Sequence, residues 1–344
     1  MAILVFMKKY FFFTFLLLFL IIIFSCNTCN DKKSRVSKIY FPIDDTVKVK
    51  IQRYEKALFG IDLKNLKNGL KKLKSEYSFF LDGDLNDTMN LIQIKSYLTD
   101  SFIVNIYENC NKIFPDVKDL EAQFTKAFRY LKYYFPDKKN PKVYTYVSGL
   151  DYENPIKYTD SVLVIALDMY LGNNYKYYKM IGQPLYRQNR FRKDFIMTDC
   201  MREIAKTKID NSRENKKLID IIVYEGKVLY FIDAMLPDTP DSLKIYYSPS
   251  QMEWCAKNES NVWSFIIDKK LLYSSDPSMI EKLCADGPFT AVFSKQSPPR
   301  VGIWIGWQIV RAFMEHNKKV TLKELFTNQD SQSILTRSKY KPKK

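Results

Sequence analysis

The hydrophobic pattern changes character along the chain. From Tyr10 to Phe24 the residues form one apolar run, preceded by Lys8 and Lys9 and followed by Ser25-Cys26. The run of about fifteen residues is long for the apolar core of a signal peptide, yet short of the ~20 that a spanning helix needs. Further on, Leu58, Leu63, Leu66, Leu70 and Leu73 recur at helical spacing with lysines between them, which predicts an amphipathic helix or helix pair. Residues 84–137 also read as helical with short breaks. Leu120, Phe124, Ala127, Phe128 and Leu131 make one apolar face, opened after Pro115 and closed at Pro136.

The period then shifts. "PKVYTYVSG" alternates β-forming residues, and Val162–Leu167 is a continuous apolar run, so both read as strands. "KDFIMTDCMREIAKT" returns to helix. "LIDIIVYEGKVLYFIDAMLP" reads as an apolar helix or a strand–helix junction near Glu225. "SPSQMEWCAKNES" carries a Ser-Pro helix start. "VGIWIGWQIVRAFMEHN" is apolar around most of its circumference, and "TLKELF" carries a capping box of Thr321 with Glu324. The expected fold class is α+β, mainly helical with a small central mixed sheet, in one domain over residues 49–344. Residues 1–25 read as a signal peptide and 26–48 as a polar tether.

Ile23-Phe24-Ser25-Cys26 has the form of a lipobox. An aliphatic residue precedes a small one and the cysteine that receives lipid. Cys26 is therefore the expected attachment site, and membrane tethering through N-terminal lipid the expected localisation. "NTCNDKKSR" after it has one acid, Asp31, which favours a periplasm-facing lipoprotein of the outer membrane. Five further cysteines, an odd number, leave at least one free thiol in an oxidising compartment.

Composition narrows the chemistry. The 344 residues carry a formal charge of +16 and only ten glycines, with no Gly-rich phosphate-binding motif. The lysines are dispersed, which argues for a solvated basic surface and against nucleic acid. The only histidine, His316, closes a helix, where a cation suits the helix dipole. A Ser-His-Asp or Cys-His site is not expected.

Three blocks carry a family resemblance: "VIALDMYLG…YYKMIGQPLYRQNRF", "EGKVLYFIDAMLPDTPDSLKIYYSPSQMEWC" and "RVGIWIGWQIVRAFM…TLKELF…QSILTRSKYKP". In order and spacing they resemble GldB, a lipoprotein family of the Bacteroidota associated with gliding motility, over about residues 48–342. That family in turn looks distantly similar to gluzincin-type zinc metallopeptidases, which implies a degenerate metallopeptidase-like fold. Those enzymes place H-E-x-x-H on one helix and a third ligand, a Glu, on the next. Two His at i and i+4 reach one metal, and the Glu activates its water. Here the five positions read Asp199-Cys200-Met201-Arg202-Glu203, and Glu225 falls at the third-ligand place.

Asp199 and Glu203 share a face with Arg202 and Lys206, which are expected to pair with them on a solvated surface. No metal or other cofactor is expected. The strand end at Asp168 and Tyr170, with Arg187 nearby, is the candidate binding cleft, and Arg190 and Arg192 add positive charge there. Tyr175, Tyr177, Tyr178, Tyr186, Trp254, Trp263, Trp304 and Trp307 are expected to serve packing for the most part. The reading is a non-catalytic envelope lipoprotein with envelope protein partners, supporting a machine such as gliding motility or its secretion apparatus. The alternative is a divergent envelope hydrolase using carboxylate ligands.

Overall fold

The computed structural model describes residues 46–209, 211 and 216–342. Cys26 and the signal-peptide and lipid-attachment readings lie outside these residues. Strand β1 (Ile51–Arg53) leads into α1 (Tyr54–Phe59) and α2 (Leu66–Lys74). Three longer helices follow: α3 (Thr88–Thr99), α4 (Ser101–Ile113) and α5 (Lys118–Tyr134). Next come β2 (Lys142–Tyr146), β3 (Ile156–Tyr158) and β4 (Val162–Ala166). Short helices α6 (Lys176–Met180) and α7 (Leu185–Gln188) precede α8 (Ile196–Lys208) and α9 (Leu218–Met235). The chain closes with α10 (Asp241–Ile245), α11 (Pro249–Asp268), α12 (Pro277–Cys284), α13 (Val301–His316), α14 (Leu322–Thr327) and α15 (Ser331–Ser338). The α+β class holds. The region around Glu225 is continuous helix, so of the two readings left open there the junction falls away.

The sheet is mixed, in the order β1-β2-β4-β3, with β1, β2 and β4 parallel and β3 antiparallel to β4. Because side chains alternate across a strand, one sheet feeds two cores. Tyr144 and Val164 pack with Tyr54, Leu58 and Leu70 under the N-terminal helices. Val143, Leu163 and Ile165 turn the other way, into the large core. Val47 is already buried in that core, and the Val49 amide donates to Thr125 Oγ1 at 3.0 Å. Val47, within the stretch read as a tether, is therefore part of the packed chain.

The large core is organised by α9 and α13. These helices touch backbone to backbone, because small residues meet at the crossing. A Cβ on Gly306 would lie 1.8 Å from the Ile222 carbonyl oxygen, and one on Gly226 would lie 2.4 Å from the Gly306 oxygen. The close crossing also aligns charges that neither helix could bury alone. Asp233 of α9 accepts from Trp307 Nε1 (2.9 Å), Arg311 Nε (2.8 Å) and Lys244 Nζ (2.8 Å). Asp241 accepts from Arg311 NH1 at 2.7 Å and lies 3.4 Å from Lys244. Two cations face two carboxylates, and the Arg311 guanidinium sits 3.7 Å over the Trp307 ring. A buried charge needs this pairing, since an isolated one would change protonation state or unfold the site.

Gly306→Ala should destabilise the fold by on the order of 3 kcal/mol, because the new methyl overlaps a backbone oxygen rather than a movable side chain. Urea denaturation measures this. Gly287→Ala, whose Cβ would meet nothing nearer than 3.7 Å, should change stability by less than about 0.5 kcal/mol.

Candidate functional site

The resemblance directs attention to the α8–α9 face, and each of its acids is engaged there by the protein itself. Asp199 sits near the start of α8, partly buried by surface, with its carboxylate enclosed between two phenols. Tyr170 Oη donates to its Oδ2 at 2.8 Å, and Tyr246 Oη donates to Oδ1. Burial pushes the Asp199 carboxyl above its ordinary value, against the two tyrosine hydrogen bonds and Arg202, which pull it down. Glu203, one turn later, accepts from Lys206 Nζ at 2.6 Å. Glu225 on α9 lies 3.9 Å from Arg202 NH1.

The expected solvated face is thus only half observed. Arg202 is buried, donating from NH2 to the Lys244 carbonyl at 2.7 Å and from Nε to Tyr246 Oη at 3.0 Å. Burial lowers its pKa, but Tyr246 and Glu225 outweigh that and the net direction is up. The pairing expected for Asp199 falls to tyrosines rather than to Arg202 or Lys206. Cys200 faces the core, fully buried. Among the described residues no group of three His, Cys, Asp or Glu side chains is placed to hold a metal ion.

The candidate cleft of Asp168, Tyr170 and Arg187 needs correction, for the three do not share one. Asp168 is fully buried and latches a turn: its carboxylate accepts from Ser148 N (2.9 Å), Ser148 Oγ (2.8 Å) and Leu150 N (2.7 Å). That turn carries two consecutive left-handed residues, Gly149 and Leu150, and the amides of Ser148 and Leu150 that it turns inward find their acceptor in Asp168. Tyr170 is buried with its ring in the core, only its hydroxyl reaching Asp199. Arg187 lies at the surface, 3.8 Å from Asp286.

What organises this region is Tyr246, which sequence reading passed over. It ends α10 in the left-handed conformation (φ 63°). Three guanidinium groups surround its ring: Arg190 and Arg202 at 4.8 Å and Arg300 at 5.3 Å. Its hydroxyl links Arg202 to Asp199. Arg190 in turn grips Asp286 with two hydrogen bonds, 2.6 and 3.0 Å. Burial, and then the nearby Arg190, lower the Arg300 pKa. Arg192, also expected here, points elsewhere, over the Phe195 ring. Of the aromatic set, Trp307 and Tyr178 are fully buried and Trp304 nearly so, while Trp254 and Trp263 pack at the edge of the core.

A sizeable cleft lies apart from these residues. It has a volume of about 600 Å³ between α5 and the α9–α10 connection, with Val117, Leu120, Met197, Met235 and Leu243 in its lining.

Comparison with known families settles the lineage. The family described as gliding motility protein GldB matches residues 30–342, and the chain belongs to that family. No curated protein and no solved structure matches the chain.

Removing the Asp199 carboxylate should strand two enclosed hydroxyls, so Asp199→Ala should destabilise by about 2–4 kcal/mol. Asp199→Asn keeps partners for both phenols and should melt within a few degrees of the parent. The pH dependence should separate parent from Asn variant. A carboxyl raised in the folded state favours folding fully below its unfolded value, near 3.8, and that contribution is lost as pH rises through the folded value. The parent should therefore lose stability relative to Asp199→Asn as pH rises from 3 to 7, as read from paired thermal melts.

Proposed function

We propose that this member of the GldB family is a non-catalytic lipoprotein that serves gliding motility as a structural part of an envelope machine. The observation that carries the non-catalytic reading is the engagement of the three acids at the former ligand positions. Tyr170 and Tyr246 hold Asp199, Lys206 holds Glu203, and Arg202 faces Glu225. A dication entering among these groups would have to displace two phenols and approach two cations. That arrangement suits a wall better than a reaction centre.

Anchoring by lipid at Cys26 fits the family and the lipobox-like ending Ile23-Phe24-Ser25-Cys26. Among the described residues no helix is long and apolar enough to cross a membrane. Two or more acyl chains hold a protein stably at a bilayer, where one chain alone is marginal. An outer-membrane, periplasm-facing position and contacts with envelope proteins belong to the same proposal.

The test is genetic and biochemical together, in a gliding host whose own copy is deleted. The triple variant Asp199→Asn, Glu203→Gln, Glu225→Gln should restore colony spreading to the parental level. Cys26→Ala should abolish acyl labelling and release the chain from the membrane fraction. Loss of spreading by the triple variant, with the protein present and folded at normal levels, would count against the non-catalytic reading. Acyl label that moves to Cys29 would show that the anchor was misassigned.

A further inference from the structure

The buried cluster at Asp233 balances two cations with two carboxylates, and needs nothing more. The arginines around Asp286 are different. Asp286 follows α12 and is, among the described residues, the single carboxylate within ion-pair distance of Arg187, Arg190 and Arg300. Arg190 takes both of its oxygens as a bidentate pair, NH2 to Oδ1 at 2.6 Å and NH1 to Oδ2 at 3.0 Å. The other two lie at charge-contact distance only: Arg187 Nε at 3.8 Å and Arg300 Nε at 3.7 Å.

Arg300 has little alternative. The residue is 8% exposed, and its NH2 donates to the Ile245 carbonyl at 2.7 Å. Its buried Nε makes no hydrogen bond. The planar carboxylate pairs with Arg190, and its oxygens stay beyond hydrogen-bond distance of the Nε donors of Arg187 and Arg300. A phosphate group has further oxygens out of that plane, and guanidinium forks match it well.

The site is also graded toward solvent. Side-chain exposure falls from 43% at Arg187 through 28% at Asp286 and 18% at Arg190 to 10% at Arg300. This describes a mouth, a plug, a wall and a floor. The floor residue caps α13, so the positive end of a sixteen-residue helix adds to the same field.

We propose that Arg187, Arg190 and Arg300 form a receptor for a phosphate group, whose place the Asp286 carboxylate now holds. The phosphate can be free or carried on a lipid headgroup; the recognition chemistry is the same. Binding swings Asp286 outward and gives Arg300 Nε an acceptor.

The test is titration calorimetry of the full chain with inorganic phosphate, at constant ionic strength held with chloride. Saturable one-to-one binding is expected. Asp286→Asn should bind about tenfold more tightly, since it removes the competing charge. Arg187→Gln and Arg190→Gln should each bind at least about tenfold more weakly. The Arg187 side chain is 43% exposed, so its variant should keep the fold even if the Arg190 variant does not.

A second arm uses flotation with phosphatidylcholine vesicles, with and without phosphatidylglycerol. Capture by the anionic vesicles that falls in Arg187→Gln identifies a lipid headgroup as the source. Phosphate binding without arginine-dependent capture identifies a soluble one. The proposal is overturned if neither the parent nor Asp286→Asn binds phosphate saturably, or if binding is indifferent to Arg187→Gln.

Discussion

The contact between the backbones of α9 and α13 is the constraint on which the rest of the molecule depends. With hydrogen in place of a side chain at Gly226 and Gly306, the two most apolar helices approach until a carbonyl of one nearly touches an α-carbon of the other. That approach brings Asp233 against Trp307 and Arg311, so that a charge on each apolar helix finds its counter-charge in the interior. It also fixes where α13 begins, and hence where Arg300 stands against Tyr246 and Asp286. The side of α9 that carries Glu225 meets α8 at Arg202 as a consequence. A wider crossing would leave Asp233 without its partners and let the arginine cluster come apart.

Much of this architecture was legible in the residues. Long helices with a strong apolar period, such as α5 and α13, announce themselves, because burial of one face or of all faces dictates the repeat. The capping box of Thr321 with Glu324 forms as read, each side chain serving the other's amide. β1 and β3 were not legible. Each is three residues long, too short to show alternation, and each is a strand only through its pairing with β2 or β4.

The site was less readable, for physical reasons. Asp168 follows a buried strand, which marks it as a candidate binding residue, but the turn with two left-handed residues needs an internal acceptor and Asp168 supplies it. Glu225 is read as a ligand position, while the neighbouring Gly226, whose lack of a side chain serves the helix crossing, goes unremarked. Tyr246, Asp286 and Arg300 come from separate segments and meet only in the folded chain. A signal for the other cluster was present. Asp233 and Arg311 interrupt apolar helices, and charges in such places are almost always paired. Family membership adds what local pattern could not, a connection to gliding motility over nearly the whole chain.

The molecule then presents an α8–α9 face whose acids are engaged by its own tyrosines, lysine and arginine, beside an arginine cluster that Asp286 half satisfies. The central claim is that the α8–α9 face is a sealed wall. Elemental analysis of the purified protein after dialysis against micromolar zinc tests it most directly. The account predicts well under one equivalent of tightly bound metal, and a melting temperature indifferent to chelator. One equivalent of zinc, lost together with a hydrolytic activity in Glu225→Gln, would contradict it.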